Sequence, residues 1–448
     1  MLKKLFLALT CFVAISFADS IGNVSLTNNL KINKELTPLA KDCIECHAKE
    51  SPGIVNDWRN SRHAHVGVSC VDCHNVKADS PMAQKAPHPK NSKNYISGMV
   101  SSKTCAKCHE KEVAQFNESG HARGGVQMFA KKPMLELMYH YEGADHPDLK
   151  FAPSITGCIQ CHGSVIELDQ AGKPKKETWP NFGIGTAYPD GAIGSCVACH
   201  SRHKFDMAEA RKPAACASCH LGPDHPNIEI YNNSMHGHIF NTEGSTYKFD
   251  AATGVWDVPD FRTPTCAVCH MAGVGELKST HNVSERLKWN LWAPHSNLRT
   301  KGVDTAAAEW AKNKKVSVGN ALAGHKDGVE AARKEMKMVC KQCHGSTFTD
   351  NFFVMGDQMV ELYNYYNDEA MKMLNDLKEK KLLKADEWSD PFQVAYYYSW
   401  HHEGRRMRMG AMMGAPDYAH WHGVFDVQQQ VRKMRVIYEQ RIKSGKIE

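Results

Sequence analysis

Eight copies of the motif Cys-x-x-Cys-His run along this chain, and they constrain its fold more than any other feature. The two thiols of such a motif are spaced to form thioethers with the vinyl groups on one porphyrin edge, and the adjoining His reaches the iron. A redox dithiol or half of a zinc site also uses a Cys-x-x-Cys pair, but neither explains a His after all eight pairs. The sequence therefore predicts eight covalently bound haems c.

Sixteen of the 17 cysteines belong to these motifs, so almost every thiol has an expected thioether bond and no disulfide framework is expected. The expected thioether cysteines are Cys43, Cys46, Cys70, Cys73, Cys105, Cys108, Cys158, Cys161, Cys196, Cys199, Cys216, Cys219, Cys266, Cys269, Cys340 and Cys343. The expected proximal iron ligands are His47, His74, His109, His162, His200, His220, His270 and His344.

The first residues have the pattern of a secretory signal peptide. Lys3 and Lys4 precede an apolar run, and a small-x-small sequence ends at Ala18. Such a leader is too short for a membrane span and is removed on export, and it takes the leftover Cys11 with it. We therefore expect residues 1–18 to be cleaved and the mature protein to be a soluble periplasmic one.

The remaining chain offers only roughly 50 residues per haem, too few for a separate domain around each. We expect a mainly α multihaem cytochrome c with little strand, in which residues 19–345 form one haem-packed region. From 360 to 377 and from 424 to 438 apolar residues recur at helical spacing. Residues 346–448 are therefore predicted to form long helices that cap the haem core and also pack in an oligomer. The net charge of +6 is mild, and nothing indicates nucleic acid as a partner.

The chain has 25 His, of which eight are proximal, so 17 remain as possible distal ligands. A haem that only transfers electrons is expected to have two protein ligands, whereas a haem that does chemistry keeps one position open. His88 and His146, each beside a Pro in a polar loop, are not expected to bind iron, and Met412 or Met413 is a less favoured alternative. The expected distal ligands are His63, His121, His203, His236, His281, His295, His402 and His422.

Asp224 and His225 stand side by side, between two prolines and just past the proximal His220. A carboxylate and an imidazole held together could bind a small polar substrate and transfer protons. A contact with a haem propionate, or a cap of the loop, would explain the same residues. A second segment, Trp400–Arg406 with Pro416–Gly423, is unusually dense in His, Arg, Trp and Tyr.

The eight motifs, the Gly-Pro-Asp-His-Pro stretch at Gly222–Pro226 and the segment from His402 to Gly423 resemble the octahaem hydroxylamine oxidoreductases. The resemblance runs from Cys43 to about Val427. It implies a mainly helical homotrimer whose catalytic haem is the fourth, on Cys158, Cys161 and His162. It also implies that Asp224 and His225 face an open position on that haem, and that the other seven haems are bis-His wires.

The direction of the reaction stays open between alternatives. Every motif ends in His rather than Lys, unlike the catalytic motif of pentahaem nitrite reductases. The family's oxidising members use a Tyr crosslinked to the catalytic haem, for which Tyr418 and 396–398 are candidates, and a Tyr after the eighth motif, which Ser346–Phe353 lacks. The missing Tyr weakens the expectation of oxidising activity. The Lys-rich, Asn-rich chain and its signal resemble those of epsilonproteobacteria, and this resemblance implies the reductive branch without the crosslink.

Three functions follow as hypotheses. The first is reduction of nitrite, and also hydroxylamine, to ammonium, with electrons from a periplasmic or membrane-bound cytochrome c or quinol dehydrogenase. The second is oxidation of hydroxylamine to nitric oxide or nitrite at a Tyr-crosslinked haem. The third is an electron conduit without enzymatic activity.

Overall fold

The computed structural model describes residues 34–83, 88, 93–125, 157–252, 254–286 and 329–447. The expectation of a mainly helical fold is confirmed: within these residues the regular strands are Asn75–Val76 and Tyr95–Ile96, which pair antiparallel. The predicted signal peptide, His146 and His295 lie outside the described residues.

Short helices joined by loops carry the haem motifs. The one-turn helices Cys70–His74, Cys158–His162 and Cys266–His270 coincide with their motifs. One α-helical turn places residues i and i+3 on the same face, so both thiols of a motif point the same way. The other helices of this region are Pro38–Glu50, Pro52–Arg59, Arg62–His65, Ser102–Ala106, Glu110–Glu118, Met207–Arg211, Pro213–Ala217, Asn227–Asn233, Met235–Glu243 and Val329–Cys340, with 3₁₀ turns at Gly120–Arg123, Cys196–Ala198 and Gly244–Thr246.

Local sequence signals start these helices. The Thr37 side chain accepts a hydrogen bond from the Ala40 amide, and Pro38 occupies the first helical position before the first motif. Proline suits that position because its missing N–H would have no partner there. At the second motif, Ser69 and Asp72 form a capping box that satisfies two free amides.

The last hundred residues form a helical unit of a different kind. Its elements are Ser346–Glu379, Glu387–Ser389 (3₁₀), Pro391–Tyr398, Ser399–Glu403 (π), Gly404–Met412, Pro416–Ala419, His420–Phe425 (π) and Asp426–Ser444. Their apolar faces meet in one buried cluster that includes Tyr363, Leu377, Phe392, Met407 and Met434. The periodicity in the sequence arises from this packing, because residues three and four apart share one helix face.

A buried ion pair joins the start of the helix Pro391–Tyr398 to the last helix of this unit. Asp390 is fully buried and caps the helix Pro391–Tyr398 by accepting from the amides of Phe392 and Gln393. Arg441 on the last helix donates to its other oxygen at 3.0 Å. Among the described residues, no helix combines the length and apolar character that crossing a bilayer requires.

Candidate haem ligands and candidate active site

Six of the eight proximal His rings each face one further His ring, and the centroid distances fall between 6.0 and 6.4 Å. The pairs, with the proximal residue first, are His47 with His88, His74 with His203, His109 with His63, His200 with His281, His220 with His121, and His344 with His236.

This spacing fits a haem iron between the two rings of each pair. A metal–nitrogen bond is about 2 Å long and the ring centre lies about 1 Å further, so opposed imidazoles have centroids about 6 Å apart. Burial lowers the pKa of His121 to about 3 and that of His200 to about 4. Both rings are therefore neutral at physiological pH, which is the state in which a histidine binds metal.

Five of the expected distal ligands take part in these pairs, while two others do not. Within the described residues, His402 and His422 face no proximal His. The ring of His402 stacks on Tyr398, and His422 is exposed and lies within 4 Å of Asp417 and Asp426. Neither ring therefore stands opposite a proximal His, which is the arrangement expected of a distal iron ligand.

The expectation for His88 is corrected, because the structure brings its ring 6.4 Å from that of His47. The neighbouring prolines suggested a plain surface loop. The sequence nevertheless contains a usable signal, because His88 is the only His between the second and third motifs.

Replacing His88 by Ala is therefore expected to convert one haem from low-spin six-coordinate to high-spin five-coordinate, since its iron loses one axial imidazole. Electron paramagnetic resonance and resonance Raman spectra of the pure protein would measure the change. His238→Ala is the matched control, because His238 is exposed on the helix that carries His236. Identical spectra for the His88 variant and the unaltered protein would contradict the pairing.

The cysteines show which motifs are neighbours. The side chain of Cys105 in the third motif adjoins that of Cys196 in the fifth, and Cys216 of the sixth adjoins Cys266 of the seventh. Electrostatic contacts join the first motif to the second, the second to the third, the fifth to the sixth, and the seventh to the eighth. The fourth motif adjoins the sixth, through Cys161 and Cys219. The motifs thus form a path in the order one, two, three, five, six, seven, eight, with the fourth as a branch.

The fourth motif is enclosed by backbone. The amides of Ile184 and Gly185 donate to the carbonyl oxygens of Cys161 and His162 at 3.0 and 3.1 Å. A Cβ on Gly183 would lie 1.9 Å from the amide nitrogen of Gly163, so this approach requires glycine. Among the described residues, no second His ring faces His162. The same is true of His270 among these residues, and His295, the remaining expected distal ligand, lies outside the described range.

Asp224 and His225 lie beside the fourth motif, since both act electrostatically on His162. One oxygen of Asp224 makes a short hydrogen bond with Nδ1 of His225, and the other accepts from Nη1 of Arg405 at 3.1 Å. Burial opposes ionisation of Asp224, but these two partners outweigh it and hold its pKa at about 2. Nε2 of His225 lies 3.0 Å from the Cys219 carbonyl oxygen. Both ring nitrogens of His225 thus face oxygen acceptors, and although burial lowers the pKa of this imidazole, the hydrogen bond with Asp224 and its charge raise the pKa overall.

Arg405 belongs to a segment that sequence reasoning marked only as dense in His, Arg and aromatics. The π-helix Ser399–Glu403 precedes it, and π-helical turns occur often at functional sites. His401 is 7 % exposed, and burial, with the charge of Arg405, lowers its pKa to about 3 despite the nearby Asp224. This segment therefore brings Arg405 and His401 close to Asp224.

Two family models match parts of the chain. The model described as "Seven times multi-haem cytochrome CxxCH" matches residues 185–318. The model described as "Cytochrome c554 and c-prime" matches residues 14–75 and 104–201.

Two characterised relatives are similar at low identity. A "probable nitrite reductase-hydroxylamine oxidoreductase fusion protein" of Kuenenia stuttgartiensis is 27 % identical over 378 residues, which cover 79 % of this chain and 40 % of the relative. This chain thus spans less than half the length of that fusion protein. The multiheme cytochrome c subunit of a menaquinone reductase from Nitratidesulfovibrio vulgaris is 26 % identical over 179 residues, 36 % of this chain and 75 % of the subunit.

Solved structures share the fold. A protein described as a hypothetical multiheme protein superposes with a TM-score of 0.73 at 23 % identity, covering 94 % of this chain and 99 % of its own. A reducing HAO-like protein complex of Kuenenia stuttgartiensis superposes with a TM-score of 0.63 at 22 % identity, covering 91 % and 86 %. Motifs, fold and these similarities together support a mainly helical multihaem c-type cytochrome with covalently bound haem.

Proposed function

We propose that this cytochrome reduces nitrite, and also hydroxylamine, to ammonium at the haem of the fourth motif. The observation that carries the proposal is the Asp224–His225 pair beside His162, which in the described residues has no facing His. The names of the Kuenenia fusion protein and of the reducing HAO-like complex support a place in the reductive branch. The proposal includes eight haems, seven of them bis-His.

When bound, the haem on Cys158 and Cys161 supplies an iron that holds the substrate nitrogen and passes electrons to it. We assign His225 as the proton donor next to that position. Its Nε2–H, which faces the Cys219 carbonyl oxygen in the structure, would turn from that oxygen to the substrate. Asp224 keeps its negative charge and so stabilises the imidazolium, while Arg405 orients the carboxylate through its second oxygen. Six electrons and eight protons convert one nitrite to one ammonium and two waters, so repeated proton delivery at one place is essential.

The order of the motifs supports electron delivery to a single site. The path of neighbouring motifs reaches the fourth through the sixth, where Cys161 and Cys219 are in contact. A row of haems along this path would act as a reservoir, so that six electrons reach the substrate without release of intermediates. The electron donor is proposed to be a cytochrome c or quinol dehydrogenase in the periplasm or its membrane, by analogy with the menaquinone reductase subunit.

We also propose a homotrimer, built on the C-terminal helical unit. That unit exposes large apolar residues, among them Met355, Tyr365 and Trp421, and contiguous exposed apolar surface commonly marks a contact between proteins. Sedimentation velocity on the purified protein would give the mass of the assembly. A monomer at micromolar concentration would contradict this part of the proposal.

The experiment for the activity uses the purified holoprotein with a reduced viologen as electron donor. We expect nitrite to be consumed and ammonium to appear in equal amounts. Eight low-spin six-coordinate haems without nitrite consumption would contradict the proposal and favour an electron conduit.

Oxidation of hydroxylamine is the second candidate, because the fusion relative's name includes that activity. Mass spectrometry of the peptide that contains Cys158 and Cys161 separates the two directions. A Tyr peptide attached to its haem would contradict the reductive proposal, and a haem peptide without Tyr supports it.

A further inference from the structure

The proximal histidine of the sixth motif makes a hydrogen bond with a side chain of the next helix. Nδ1 of His220 lies 3.2 Å from Oδ1 of Asn227, which is the first residue of the helix Asn227–Asn233. The amide of Ile228 donates to the carbonyl oxygen of His220 at 3.1 Å, so the chain returns to the motif at this point. The imidazole and the Asn227 amide are therefore held in place relative to each other by backbone as well as side chain.

Contacts on both sides determine which way the Asn227 amide faces. An imidazole whose Nε2 binds iron has its proton on Nδ1, so the amide must present its oxygen to His220. The amide nitrogen then donates to the sulfur atoms of Met409 and Met413, at 3.8 and 3.7 Å, which are weak acceptors. Met409 lies in the helix Gly404–Met412, and Met413 follows it. The C-terminal helical unit thus orients the acceptor of a proximal histidine.

The proximal histidines differ in the partner of Nδ1. For His74 of the second motif, Nδ1 lies 2.8 Å from the backbone carbonyl oxygen of Ser97. For His270 of the seventh motif, Nδ1 is buried and has no hydrogen-bond partner within the described residues. Of these three motifs, the sixth is the one whose acceptor is a side chain, and a substitution can therefore remove it.

This hydrogen bond affects the electronic properties of the sixth haem. An acceptor at Nδ1 raises the basicity of a metal-binding imidazole. A more basic ligand stabilises ferric iron relative to ferrous iron, so the reduction potential of the haem falls. The sixth motif is also the neighbour of the fourth, since Cys219 adjoins Cys161. A low potential on the sixth haem favours electron transfer from it to the fourth.

We propose that Asn227 lowers the reduction potential of the sixth haem through His220, and so directs electrons to the haem of the fourth motif. This inference rests on the proposed function for the direction of electron flow. In each transfer the sixth haem is oxidised from ferrous to ferric iron and the fourth is reduced by the same electron. The proposed electron donor replaces that electron through the neighbouring motifs. Because Asn227 acts through His220, it is a positioning residue.

The test is a redox titration of the purified holoprotein, followed by electron paramagnetic resonance. Asn227→Leu removes the acceptor at similar volume, so the midpoint potential of one low-spin haem signal should shift upward. Asn227→Asp puts a charged acceptor at the same place, and charge-assisted hydrogen bonds are stronger. The midpoint of the same signal should therefore shift downward. The other signals should shift much less in both variants.

Asn232→Leu is the matched control. Asn232 lies on the same helix, but it is exposed and its Oδ1 accepts from the side chain of Asn241. This variant should leave every midpoint potential unchanged. If Asn227→Leu does not fold or load its haems, the downward shift in Asn227→Asp still tests the proposal.

Shifts in the same direction for Asn227→Leu and Asn227→Asp would overturn the inference, because they would mean that the substitutions only disturb the packing around the haem. Unchanged midpoint potentials in both variants would overturn it as well. Failure of the proposed function would be different, since the unaltered protein would then not reduce nitrite, whereas the redox titrations would still measure the effect of Asn227.

Discussion

Replacement of Asp224 by Asn is expected to lower kcat for nitrite reduction by a factor of about 100 or more, which is typical for loss of a proton-transfer group. The amide has no charge with which to stabilise the His225 imidazolium, and it cannot accept from both His225 and Arg405 as the carboxylate does. His225→Ala should have an effect of the same size, because it removes the donor itself. Ammonium formation with a reduced viologen donor measures both.

The matched control is Asp357→Asn. Asp357 is also a partly buried aspartate that pairs with an arginine, since Arg333 donates to it at 2.5 Å, but it lies on the long helix Ser346–Glu379. The Asp357→Asn variant should reduce nitrite at the unaltered rate. All variants should keep their haem content, because none alters a motif. Turnover at the unaltered rate in both the Asp224 and the His225 variants would refute the assignment of the proton-transfer pair.

Asp390→Ala should have the largest effect on stability, a loss of about 3–5 kcal/mol in the free energy of unfolding of the C-terminal helical unit. The change leaves the charge of Arg441 buried without its carboxylate, and it also removes the cap of Pro391–Tyr398. Chemical denaturation followed by far-ultraviolet circular dichroism measures the loss. Glu369→Ala, which breaks an exposed pair with Arg435, should cost less than about 1 kcal/mol. Equal losses in the two variants would contradict the role of burial.

Asp390 also determines part of the decrease in the free energy of unfolding at low pH. Burial works against the charged form of Asp390, but Arg441 and the backbone amides of Lys384 and Phe392 outweigh it and lower its pKa. A carboxyl with a lowered pKa in the folded state contributes stability above its unfolded pKa of about 3.9, and that stability is lost as the pH falls through the folded value. Asp390→Asn should therefore flatten the decline in stability below pH 4.

Much of the haem-binding region could be predicted from sequence because its signals are local. A thioether pair and its proximal His occupy five consecutive residues, and one helical turn places them correctly whatever surrounds them. The Asp224–His225 pair is likewise adjacent in the chain. The mainly helical fold follows from the apolar periodicity of the last hundred residues. His63 in Ser-Arg-His-Ala and His121 in Ser-Gly-His-Ala also stand in matching local contexts, which favours both as distal ligands from sequence alone.

Residues that meet across long stretches of chain could not be predicted in this way. His88 faces His47, and Arg405 reaches Asp224 across 181 residues. His402, a promising candidate by its neighbours, packs on Tyr398 instead. Such contacts depend on which helices pack together, and one sequence without its tertiary structure contains no local pattern that records them.

The sequence by itself therefore predicts a mainly helical protein that binds haem c, and it names the cysteines and proximal histidines that we expect to bind it. Only the tertiary structure decided which second histidine faces each of six proximal ones, and that the fourth motif adjoins the sixth. It also brought Arg405 and His401 close to Asp224. The physical reason is the separation along the chain of the residues that must meet. Covalent attachment of a haem uses residues that are neighbours in the chain. A binding site uses side chains from distant segments, which come together when the apolar faces of those segments are buried.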